Sequence, residues 1–165
     1  MVWVGGLQSD VVDVRCASRD MLMSRKPSEA LPALRQLLVT TESPNARNAA
    51  ALVLREYEDE AALPLLVRLV EDPRTIGHRG TLVWAMAPFD YIDHVELLVR
   101  LLIEDGWEAS QMALLLLEEA EGEVAGDVMD RCRLRLREAL AVAPSQRRES
   151  ISFALEMFED SDLSV

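Results

Sequence analysis

Leu65-Leu66-Val67-Arg68-Leu69 returns 32 residues later as Leu97-Leu98-Val99-Arg100-Leu101, and a looser copy, Ala33-Leu34-Arg35-Gln36-Leu37, stands 32 residues upstream. A fixed period of this length marks helical units stacked on one another. One helix pair cannot bury its apolar surface alone, whereas three or more stacked pairs can. Repeat arrays work mostly by presenting a surface, so the period speaks for binding before catalysis.

Working outward, the punctuation between apolar stretches divides the chain into helices. A first helix is expected from Ser9 or Asp10 to Ser24, with Val11, Val12, Val14, Ala17, Met21 and Leu22 as its apolar stripe. Lys26-Pro27-Ser28 breaks it, with Ser28 as the next cap. Pairs follow. The first joins Glu29–Thr40 to Pro44–Tyr57, with Ser43-Pro44 as N-cap and first helical proline. The second opens at Asp59-Glu60, turns at Glu71-Asp72-Pro73 and continues over Thr75–Phe89. Asp93-His94-Val95-Glu96 has capping-box spacing and opens the third, which turns at Asp105-Gly106-Trp107 and ends near Ala120. A long helix over Val124–Val142 and a last one over Gln146–Glu159 form a less regular pair, and 160–165 reads as a frayed polar tail.

Residues 28–120 resemble HEAT repeats, the helix–turn–helix units of alpha-solenoids. Leu31-Pro32, Leu34 and Leu37-Leu38 match the first helix of that pattern. Pro44, Arg47, Ala49-Ala50-Ala51 and Leu52 match the second. The next copy keeps Leu63-Pro64-Leu65-Leu66, Leu69-Val70, Asp72-Pro73 and Arg79, but Gly80-Thr81-Leu82-Val83-Trp84 replaces the alanine run. The third keeps Leu97-Leu98, Leu101-Leu102 and Asp105, with Gln111 where the arginine belongs. The resemblance implies an all-α, right-handed superhelix of about four HEAT-like pairs plus an N-terminal capping helix. On that basis 1–165 form a single domain: a cap at 1–27, repeats at 28–58, 59–90 and 91–122, and an atypical pair at 123–160. The resemblance is specific for architecture and spans many activities.

Composition narrows the function. The 165-residue chain is half hydrophobic but only 5% aromatic, which suits aliphatic helix packing. Its net charge of -12 repels phosphate backbones and argues against nucleic acid. The same charge either favours a basic protein partner or serves solubility. Cys16 and Cys132 lack zinc-type spacing and read as small core residues. The N-terminus has no basic segment followed by a long apolar run, so no signal peptide is read there; the longest apolar runs are too short to span a bilayer, and a cytoplasmic protein is expected.

Candidate chemical sites reduce to structural readings. Asp93 beside His94 suggests acid–base or metal chemistry, but a helix cap and an exposed first-turn histidine account for both. His78 reads as a surface residue and Arg79 as the structural arginine. No nucleophile carries a recognisable local signature, and no glycine-rich phosphate loop has the required spacing. Neither catalysis, metal nor cofactor is expected. Glu118, Glu119, Glu121 and Glu123, with Asp127 and Asp130 beyond, either dock a basic partner or form a solvated helix end. Trp84 shares a repeat column with Leu52 and Leu116 and is assigned to the core. Arg131, Arg133, Arg135, Arg137, Arg147 and Arg148 make the C-terminal end locally basic.

The chain is therefore expected to be a non-catalytic protein-interaction module that binds through a concave face made of second helices. Its contacts are placed where exposed residues break the period: Arg55, Glu56, Trp107, Gln111, Glu118 and Glu119. A narrower version is a bacterial immunity or antitoxin-like inhibitor covering a basic toxin. Resemblance alone adds an enzyme of glycosylase or lyase type, against which the acidic charge counts.

Overall fold

In a computed structural model that describes residues 2–24 and 26–160, every regular element is helical. The chain falls into two compact units, Met1–Phe89 and Asp90–Val165. The tail expected at 160–165 lies outside the described residues from 161 on, and Asp160 itself closes a helix.

The first unit holds α1 (Val2–Gly5), α2 (Val12–Met23), α3 (Pro27–Thr40), α4 (Pro44–Glu56), α5 (Leu63–Glu71) and α6 (Gly80–Trp84). Pro27 opens α3, so Ser28 lies inside the first turn and is not its cap. Ser43 does cap α4, accepting from the Ala46 N–H at 3.3 Å ahead of Pro44. α4 packs against α2, α3 and α6, and α5 packs against α3 and α6.

Three further expectations fail here. The helix placed over Thr75–Phe89 is α-helical only from Gly80 to Trp84. Asp72-Pro73 opens a 3-10 turn, and Gly77 follows at φ 82, in the left-handed region that ends regular helix. Beyond Trp84 the backbone continues with i to i+3 bonds, Ala87 to Trp84 and Phe89 to Met86. The stripe assigned to the first helix is also not core. Val11, Val12, Val14 and Met21 on or beside α2 are exposed, the first two by 57% and 59%, and only Leu22 of that set is buried. Cys16 is exposed with them.

The second unit holds α7 (Val95–Glu104), α8 (Trp107–Glu118), α9 (Gly126–Val142) and α10 (Ser145–Asp160). α7 packs against α8, α9 and α10, α9 packs on α10, and α8 touches α10. The capping box expected at Asp93 does not form. Ile92–His94 make a 3-10 turn, α7 starts at Val95, and no side chain caps it.

The period is realised in each unit as fully buried leucines at matching repeat positions. Leu34 in α3, Leu66 in α5 and Leu98 in α7 have no exposed surface. Leu38, Val70 and Leu102 follow them at the i+4 position and are equally enclosed.

A second feature repeats with the leucines. Helix ends leave carbonyls without intrahelical partners. Arg47, only 2% exposed, donates Nη2 to the Thr41 carbonyl at 2.7 Å. One period on, Arg79 donates Nη2 to the Asp72 carbonyl at 3.3 Å and Nε to the Thr75 hydroxyl at 3.2 Å. Gln111 occupies the third position. There Arg147 of α10 supplies the cation instead: it donates Nη1 to the Ile103 carbonyl at 2.6 Å and Nη2 to the Asp105 carbonyl. Asp105 stands two periods after Thr41, so a guanidinium from a different helix serves the same turn.

Candidate partner-binding surfaces

In the first unit Arg55 lies in the last turn of α4 and Trp84 ends α6. The Arg55 guanidinium carbon sits 3.7 Å from the Trp84 ring centroid. Trp84 is therefore half-buried beneath a cation rather than enclosed in the core. Arg55 Nε is buried without a hydrogen-bond partner, as is Asn48 Oδ1 two turns earlier on the same face of α4. Glu56 is ion-paired with Arg19 of α2, which ties it into the fold. Replacing Arg55 by Ala should uncover the indole, shift tryptophan emission to longer wavelength and cost about 1 kcal/mol in urea denaturation.

In the second unit Trp107 is the first residue of α8 and is 78% exposed. Gln111 and Glu118 lie within about 40° of it around a 3.6-residue helix, so the three share one stripe. Gln111 is half-buried and Glu118 exposed. The stripe is opposite the buried side carrying Ala109, Ala113 and Leu116. Glu119, the C-cap, is exposed but points about 100° away from Glu118 by helix geometry. The structure thus gathers Trp107, Gln111 and Glu118 on one helix face.

Five of the six arginines of the locally basic C-terminal end are engaged with acids or carbonyls. Arg131 pairs with Asp127 at 2.7 Å and Glu96 at 3.2 Å, and Arg137 with Glu159 at 2.7 Å. Arg133 donates to the Phe158 carbonyl at 2.7 Å, and Arg148 to the Ala143 carbonyl at 3.1 Å. Hydrogen bonding to Arg131 holds the Asp127 carboxyl below its usual range.

Sequence inspection also missed an open groove of about 890 Å³ within the second unit. Ile92, Val95, Leu117, Met129, Met157 and Phe158 supply apolar lining, and Glu123 and Asp130 carboxylates. Gly122 shapes the connecting loop. Its φ of 120 suits glycine, and an added Cβ would meet Ile92 at 3.4 Å. The methionines and the two glycines, Gly122 and Gly126, were the available signal. Tyr91 anchors the same region: its hydroxyl donates to the Leu116 carbonyl at 2.9 Å. Burial, with the nearby Glu119 and Glu121 carboxylates, pushes its phenol up.

The thiols separate by burial. Cys132 is enclosed, and desolvation, with Glu96 adding to it, pushes its thiol up to about 11. A thiol-reactive disulfide reagent at pH 8 should consume Cys16 quickly and Cys132 only after unfolding. Among the described residues no group of three or more His, Cys, Asp or Glu is placed to hold a metal ion. No helix among them is long and apolar enough to cross a membrane.

Packed helix pairs within each unit, leucines buried at matching repeat positions and turn-binding arginines define a helical repeat protein. The HEAT-repeat family model matches residues 3–87, and the chain belongs to that family. The match takes in the segment assigned to the N-terminal cap and ends before the third pair. Comparisons with curated proteins and with solved structures return no match. HEAT repeats commonly serve as protein-interaction modules and are typically non-catalytic scaffolds.

Proposed function

We propose that this chain is a non-catalytic, cytoplasmic module that binds a basic protein. In the second unit its contact face is the outer stripe of α8, Trp107 with Gln111 and Glu118, and Glu119 closes the end. In the first unit Arg55, seated on Trp84, and Glu56 supply contacts of their own. The exposure of Trp107 carries this: a large aromatic held 78% in solvent on a rigid helix is the residue type that anchors interfaces. The net charge of -12 supports a cationic partner and fast, salt-sensitive association.

Trp107→Ala should leave folding stability within about 0.5 kcal/mol, because little buried surface is removed. It should weaken capture of the native partner by about 30-fold, the effect of losing an interface anchor. Affinity purification from the source cells with wild-type and W107A chains, read by mass spectrometry, checks both class and face. Recovery of no protein by the wild type defeats the proposal, and equal recovery by both chains defeats the assignment of Trp107. The acidic charge also favours the narrower immunity-like role. An adjacent toxin-type gene supports that role, and its absence counts against it.

A further inference from the structure

The groove of the second unit differs in kind from the α8 stripe. It is an open groove whose lining mixes apolar side chains with the carboxylates of Glu123 and Asp130. Its floor is built by Ile92 before α7, Leu117 at the end of α8, Met129 on α9 and Phe158 near the end of α10. Met129 and Met157 give that floor flexible, polarisable surface, which adapts to the shape of an inserted side chain. A concavity of this size takes one large side chain and its neighbours rather than a flat protein face.

Charge distinguishes the classes of occupant. Glu123 and Asp130 line the groove, with Arg133 as the only cation among the lining residues. That guanidinium is already directed at the Phe158 carbonyl and, at 3.3 Å, at Asp130. The segment entering the groove adds Glu118, Glu119 and Glu121, all exposed, and Asp127 follows on α9. Glu119 and Glu121 act on Tyr91, the neighbour of Ile92, and with its burial disfavour the phenolate. An anionic occupant would be repelled by the Glu123 and Asp130 carboxylates, whereas a cationic one would be drawn to them.

We propose that this groove seats a short cationic segment of a partner polypeptide, one large apolar side chain entering between Met129 and Phe158 while flanking Lys or Arg residues pair with Glu121, Glu123 and Asp130. The inference rests on the chain being a protein-interaction module and names a second contact of that module. In mode it resembles capture of an amphipathic segment: apolar anchors give affinity and rim charges give orientation.

Fluorescence-anisotropy titration of the full chain tests it with three labelled dodecapeptides: lysine-rich with a central Trp, the same with a central Ala, and the Trp peptide with Glu for each Lys. The Trp–Lys peptide should bind, and each of the other two should bind about tenfold or more weakly. Ala125 is exposed, lies outside the helices and lines the groove, so Ala125→Trp should fill the space without disturbing the core. It should weaken the Trp–Lys peptide about tenfold. Glu121→Lys with Glu123→Lys should weaken it and flatten its salt dependence. Failure of the Trp–Lys peptide to bind, equal binding of the Ala-centred peptide, or unchanged binding by Ala125→Trp would each overturn the groove assignment. Capture of the native partner by the wild-type chain and by Ala125→Trp alike would leave the module's function standing while removing the groove from it. No capture by either would remove the function itself.

Discussion

Leu98→Ala should cost about 3 kcal/mol or more of folding free energy, seen as a lower urea midpoint with an unchanged slope. Leu98 is wholly enclosed in the second unit, and truncation leaves a cavity that its neighbours fill only in part. Leu34→Ala and Leu66→Ala in the first unit should cost comparable amounts, because both occupy the same column with no exposed surface. Leu134→Ala on α9 makes the internal comparison. The same atoms are removed from a residue 58% exposed, and the expected change is under about 0.5 kcal/mol. A small effect at Leu98, or a large one at Leu134, would mean that burial does not govern the column.

Arg147→Ala should destabilise the second unit by about 2 kcal/mol, the scale of hydrogen bonds made by a charged donor. The change uncovers the Ile103 and Asp105 carbonyls at the turn between α7 and α8. Arg147→Lys should recover only part of the loss, since an ammonium lacks the planar fork that reaches two carbonyls together. The decisive variant is Gln111→Arg in the Arg147→Ala background. It places an arginine where Arg47 and Arg79 stand in the earlier pairs and should restore about half of the lost stability or more. Gln111→Arg in the wild-type background should give no such gain, because Arg147 already serves those carbonyls. Thermal and urea unfolding of the four chains form a double-mutant cycle. Independence of the two sites would refute the substitution of one arginine for another.

The leucine column was legible because a 32-residue period and a 3.6-residue helix together place Leu34, Leu66 and Leu98 alike. α2 was misjudged on the same kind of signal. Its apolar spacing shows which stripes could face a core, while packing against α1, the Gly6–Gln8 turn and α4 leaves all but one of the assigned stripe residues incompletely buried. Trp84 was misplaced because the repeat position it shares with Leu52 is only half-buried at both residues. A tryptophan there reaches the surface, and Arg55 covers it. Trp107 was singled out as the start of a second helix, and its exposure needed coordinates.

Sequence alone determined the class of this protein: the 32-residue period and the aliphatic composition are regularly spaced or global signals, and they suffice for a helical repeat. Tertiary structure decided what periodicity cannot encode. Arg147 reaches a turn more than forty residues away, Arg133 and Arg137 turn a basic-looking helix inward onto α10, and residues from four separate segments meet to make one groove. Each of these depends on side chains brought together across long stretches of chain, and sequence spacing carries no measure of that distance.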